Sequence, residues 1–208
     1  MIVVVETNFV IELVLQQEQS PACEKILTLC SSSTPAQLAI PAFSVIEAGM
    51  TFERNRGQRR IFAQQDVSRF ARESGRAKIL QRFEKIVREL DAELVRAEID
   101  EAARWLDFRV SMLDGMVVIP INGDMLEETV ALELGREIDR FPDAVVFASV
   151  KAYLADLRAS GVDRPACFVS RDKKAFGRNV LVEQLQRLDC AYIDSFDSAV
   201  AHIQQTLR

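Results

Sequence analysis

Residues 3–13, VVVETNFVIEL, decide the fold. Three valines in a row suit a strand buried on both faces, where the chain reads as one apolar run. Glu6, Thr7 and Asn8 break that run, and residues 9–16 continue as a helix. A carboxylate at such a junction lies just past the carboxyl end of a strand. In an open parallel sheet, that edge is where ligands bind. The stretch therefore predicts an α/β domain with Glu6 on its working edge.

The same grammar recurs along the chain. Short β-branched or apolar runs predict further strands at 38–40, 117–119, 166–169 and 191–193, the second and third followed by Pro41 and Pro120. Helices are expected from Pro21 to about Cys30, from Phe43 onward with Glu47 in the first turns, over 124–135 with Asp124 as its cap, and from Pro142 to Ser160. Residues 31–35 read as a loop. Strands alternating with helices imply a three-layer α/β/α fold around a parallel sheet of about five strands. Residues 53–109 differ in character. Apolar spacing predicts one amphipathic helix through Ile79, Leu80, Phe83, Ile86, Val87 and Leu90, and a second through Leu94, Val95, Ile99, Ala103 and Leu106. Gly57 and Gly75 are expected to break what precedes them. The whole, residues 1–208, reads as a single domain with 53–109 as a helical insertion.

Composition narrows the chemistry. Hydrophobic residues make up 49% of the chain, as in a globular protein. No apolar run reaches the length that spans a bilayer. Met1 leads straight into the first strand without the features of a secretory signal, so a cytoplasmic protein is expected. Four scattered cysteines, Cys23, Cys30, Cys167 and Cys190, do not make a disulfide framework. His202 is the only histidine, and it lies in a C-terminal helical stretch, which argues against a histidine-based zinc site or a Ser-His-Asp triad. Any catalysis falls to carboxylates.

Four acids follow the predicted strands. Glu6 ends the first, Glu47 lies in the helix after the second, Asp143 opens the helix in RFPDAVVFA, and Asp172 follows the fourth in FVSRDKKAF. A parallel sheet puts all strand carboxyl ends on one side, so the four are expected in one cleft. Like charges gathered there repel one another and lose hydration, an unfavourable arrangement without a counter-charge. A hard divalent cation, Mg²⁺ or Mn²⁺, supplies one through oxygen ligands. Such an ion lowers the pKa of a bound water and stabilises both oxygens of an in-line phosphoryl displacement. Phosphodiester hydrolysis suits this equipment.

ETN at 6–8, the lone Glu47, PDAVVFA at 142–148 and SRD at 170–172 together resemble the motifs of PIN-domain nucleases. The resemblance covers residues 1–50 and 116–195. It implies a metal-dependent endoribonuclease with a parallel sheet between helices. Glu6, Glu47, Asp143 and Asp172 would be catalytic metal ligands, with Asn8 and Ser170 as polar helpers beside them. It also implies RNA as substrate, an antitoxin protein as partner of a toxin-type member, and a homodimer. The family's first acid is usually aspartate. Glu6 adds one methylene, about 1.5 Å, which bears on the strict octahedral geometry of Mg²⁺.

Each acid also has an ordinary structural reading. Glu6 can simply end a strand, Glu47 and Asp143 can meet a helix dipole, and Asp172 can cap the helix through Phe176 with Ser170 shaping the turn. Asp139 lies close enough in sequence to join the cluster. Trp105 and the phenylalanines read as core. Residues 53–88 hold 11 Lys or Arg against 4 Asp or Glu, a net of +7 in a chain of net −5. That strip marks Arg54, Arg56, Arg59 and Arg60 as nucleic-acid-contact candidates, or else as a solvated face of ion pairs. Two other classes stay open: a PIN-like binding or interaction module weakened in turnover, and a small-substrate phosphatase, for which the D-x-D pattern after the first strand is lacking.

Overall fold

The computed structural model describes residues 1–31, 34–62, 65, 69 and 81–208. In chain order these form β1 (Ile2–Val5), α1 (Thr7–Leu15), α2 (Ser20–Leu29), β2 (Gln37–Pro41), α3 (Ala42–Ile61), α4 (Gln81–Gly115), β3 (Met116–Ile119), α5 (Gly123–Leu134), α6 (Phe141–Ala159), β4 (Ala166–Val169), α7 (Lys173–Phe176), α8 (Asn179–Gln186), β5 (Cys190–Ile193) and α9 (Phe196–Thr206). Two compact units result: residues 1–48 with 108–208, and residues 49–107.

The first unit is the expected three-layer α/β/α domain. Its five strands are all parallel, in the order β3-β2-β1-β4-β5. β1 sits at the centre, and all four of its residues are fully buried. Side chains alternate across it. Ile2 and Val4 face a core built with Phe147, Val150 and Leu154 of α6, Met125 and Leu132 of α5, Phe176 of α7, and Leu181 and Leu185 of α8. Val3 and Val5 face the opposite layer, where Phe9 of α1 meets Phe196 of α9 edge-to-face at 5.5 Å between ring centroids. Burying one such side chain contributes about 1.5–3 kcal/mol. That explains how four-residue strands hold their place.

Local signals set most boundaries. Pro142 occupies the first turn of α6, where a missing N–H costs nothing. Pro41 is the last residue of β2, paired in register with Ile119, and not the stop beyond it. The cap of α5 also differs from expectation. Asn122, not Asp124, accepts the Met125 N–H at 2.9 Å, and Asp124 lies inside the first turn.

The second unit shows the larger difference. α3 runs straight through Gly57 to Ile61, and the two helices expected around Leu90 and Leu94 are one 35-residue helix, α4. The break expected at Gly75 and the helix start expected at Ile79 and Leu80 lie outside the described residues, as do Ser32 and Ser33 of the expected loop. Within this unit Phe52 is buried and stacks on Trp105 at 5.8 Å. Gly49 lets the indole approach, since a Cβ there would meet Trp105 Cζ2 at 3.2 Å. Arginines of α3 pair with glutamates of α4: Arg56 and Arg60 with Glu98, and Arg59 with Glu101. Those pairs join positions about forty residues apart, which is why periodicity within either stretch did not reveal them.

Candidate active site at the carboxyl edge of the sheet

In a sheet ordered β3-β2-β1-β4-β5, the chain moves from β1 to one side and later returns to the other. The switch point therefore lies between β1 and β4, and ligand crevices form there. Val5 and Val169 are paired across it. The residues that follow them, Glu6 and Ser170, leave the sheet side by side.

Glu6 adopts an extended conformation and caps α1. Its Oε2 accepts the Asn8 N–H at 2.8 Å. The residue is 4% exposed, and Oε1 has no hydrogen-bond partner among the described residues. A buried acceptor left in that state costs about 1–3 kcal/mol. Burial pushes the Glu6 carboxyl up to about 7. The Asn8 backbone N–H, the Ser170 hydroxyl and the Asn8 side chain pull it down, while the charge of Glu47 pushes it up.

Glu47 comes from α3. The Thr7 hydroxyl, at the first position of α1, donates to Glu47 Oε2 at 2.5 Å and ties that acid to the β1 edge. Asp143 sits in the first turn of α6, its side chain 16% exposed, with Arg140 at 3.9 Å. Burial raises its pKa, Arg140 lowers it, and the charges of Asp172 and Glu47 raise it again. Asp172 caps α7. Its Oδ1 accepts the Ala175 N–H at 2.9 Å, and its own N–H donates to Ser170 Oγ at 3.0 Å. Glu6 feels Glu47, while Asp143 feels Glu47 and Asp172, so one chain of repulsions links the four acids.

Among the described residues, no three His, Cys, Asp or Glu side chains come near enough to hold one metal ion between them. A closed protein cage does not fit. A hydrated ion fits better, since Mg²⁺ commonly keeps several waters and is held by one or two carboxylates and a substrate phosphate. Two features suit such an ion: a donor set made only of oxygen, and the unpartnered Glu6 Oε1 buried in its midst.

The other candidates are placed differently. Arg56, Arg59 and Arg60 are committed to Glu98 and Glu101, whereas Arg54 is exposed. Asp139 does not join the acids; it pairs with Arg178. His202 is half-buried in α9. Sequence reasoning missed four participants. Thr7 is the first, hidden inside ETN. Ser44, three residues before Glu47 and on its helix face, is fully buried, and its hydroxyl has no partner among the described residues. Tyr192 of β5 donates to the Ser170 carbonyl at 3.1 Å. The fourth is Glu12, a buried acid on α1 paired with Arg171. A lone glutamate inside the apolar run FVIELVL was the one signal that pointed to it. Comparison of the chain with family models, with curated proteins and with solved structures finds no match in any of the three.

Proposed function

We propose that the chain is a PIN-like endoribonuclease that hydrolyses RNA phosphodiester bonds with Mg²⁺ or Mn²⁺. The observation that carries this reading is the buried, unpartnered Glu6 Oε1 at the β1/β4 switch point, in an acid chain with Glu47, Asp143 and Asp172. A fold that gathers repelling carboxylates at its ligand edge gives up stability there, as functional sites commonly do. The bound cation would supply charge neutralisation and an acidified water.

The chain's own residues hold and orient. Glu6 Oε1 takes up either the cation or, in its absence, a proton. Thr7 fixes Glu47, and Ser170 fixes the backbone of Asp172. RNA as substrate, an antitoxin protein as partner, a homodimer and a cytoplasmic location rest on the motif resemblance and the sequence reading. Arg54 is an exposed arginine of the basic strip and the candidate offered to a phosphate.

Asp143→Asn removes one charge and keeps the side chain's shape. It is expected to lower metal-dependent RNA cleavage by about 100-fold or more, since each 1.4 kcal/mol of lost transition-state stabilisation is tenfold. The melting temperature should stay near that of the parent. Retained cleavage counts against the assignment. A second reading, a weakened binding module, is favoured by the commitment of Glu6 Oε2 and Asp172 Oδ1 to helix caps. Under that reading RNA binds in both Mg²⁺ and Mn²⁺ without being cut.

A further inference from the structure

Arg171 stands between Ser170 and Asp172, in the turn that carries the last acid of the site. A guanidinium so placed, left to itself, would be drawn to the four carboxylates and would compete with any cation they hold. It is directed elsewhere. Arg171 Nη1 pairs with Oε1 of Glu12, which is 1% exposed, and Nη2 lies 4.0 Å from Glu18. Glu12 is itself anchored: its Oε2 accepts the Gln19 N–H at 2.8 Å, and the Gln19 side chain accepts the Phe196 N–H at 2.8 Å. Three elements thus hold one buried carboxylate in place on the α1 side. Meanwhile the turn's backbone is pinned from β5, by Tyr192 and by the Ser170 N–H donating to Ile193 O at 3.1 Å.

A buried ion pair costs desolvation, and hydrophobic residues in the same volume would commonly serve the fold as well. What such a residue would not do is hold Arg171. We infer that Glu12 is a positioning residue that keeps the Arg171 guanidinium away from Glu6, Asp143 and Asp172, leaving the acid edge open to a divalent cation.

This inference rests on the metal-dependent reading, and one titration separates the two. Mn²⁺ binding is measured by electron paramagnetic resonance on the parent, E12Q, R171Q and E12Q/R171Q. Releasing Arg171 in E12Q is expected to weaken Mn²⁺ binding by about tenfold or more, tenfold being the scale of a water-screened repulsion between a guanidinium and a divalent ion several ångströms apart. The double variant should bind as the parent does, and R171Q alone should bind as well or better. A purely structural Glu12 would lower the melting temperature without changing Mn²⁺ affinity, and removing Arg171 as well would restore nothing. E12Q with parental affinity, or a double variant as weak as E12Q, overturns the inference alone. A parent that binds no Mn²⁺ overturns the metal reading and this inference with it. Should E12Q not fold, E12D serves the same comparison, since it keeps the charge but loosens its hold on Arg171.

Discussion

Glu6 is 4% exposed, and folding must largely desolvate its carboxyl group. Its ordinary value of 4.5 rises to about 7 in the folded chain. A raised acid favours the folded state while it is protonated. Its contribution is complete below pH 4.5 and is lost as pH climbs through about 7. A shift of that size corresponds to about 3 kcal/mol at pH 8. In chelator, Glu6→Gln should therefore be more stable than the parent at pH 8 by up to about 3 kcal/mol, with the gap closing toward pH 5. Urea denaturation at the two pH values measures it; equal stability at pH 8 would mean that the carboxylate is not desolvated. At this scale Glu6 and Asp172 were legible because each follows a short apolar run, and Asp143 because it follows a helix-opening proline. The hydroxyls of Thr7 and Ser44 were not, because a single hydroxyl has no periodicity to betray it. The cap that Asp172 places on α7 was legible too, as the ordinary reading of an acid before a short helix, and its Oδ1 accepts the Ala175 N–H.

Helices tell a second story. The sequence places Ile86 and Leu90 in one apolar pattern and Val95, Ile99 and Leu106 in another, which suggests two helices. Yet the five residues from Leu90 to Val95 rotate a helix by about 140°. The break in pattern is a change of face on the continuous α4, not a change of element. Gly57 misled for a related reason. Arg56, Arg59 and Arg60 around it are held by glutamates of α4, which outweighs a local propensity cost of about 1 kcal/mol. Nothing lies within 4 Å of a Cβ built at Gly57. Gly57→Ala should accordingly stabilise the chain by about 0.5–1 kcal/mol. A thermal melt that moved downward would show that α3 needs the glycine. The strands were easier to read, within a residue or so of their observed ends, because a centrally buried strand must be apolar on both faces.

The whole molecule is held together without covalent links. All four cysteines are buried free thiols, and burial raises the pKa of each, to about 11 at Cys30 and about 12 at Cys190. A thiol-reactive dye should label the native protein slowly and all four cysteines promptly in denaturant. Fast native labelling would contradict this burial. No helix among the described residues is long and apolar enough to cross a membrane. If a cation binds only the folded chain, Mn²⁺ at a hundredfold excess over its Kd adds about 2.7 kcal/mol. The melting temperature should then rise in Mn²⁺ and fall back in chelator, and a melt blind to Mn²⁺ would leave the acid edge without its expected ligand.

The position of β1 bears on how the protein is made. Val5 pairs with Val169, so one of the two neighbours of the central strand is synthesised 164 residues after it. Until that neighbour is made, β1 carries an unsatisfied ladder edge beside a fully apolar surface, the kind of segment that chaperones shield.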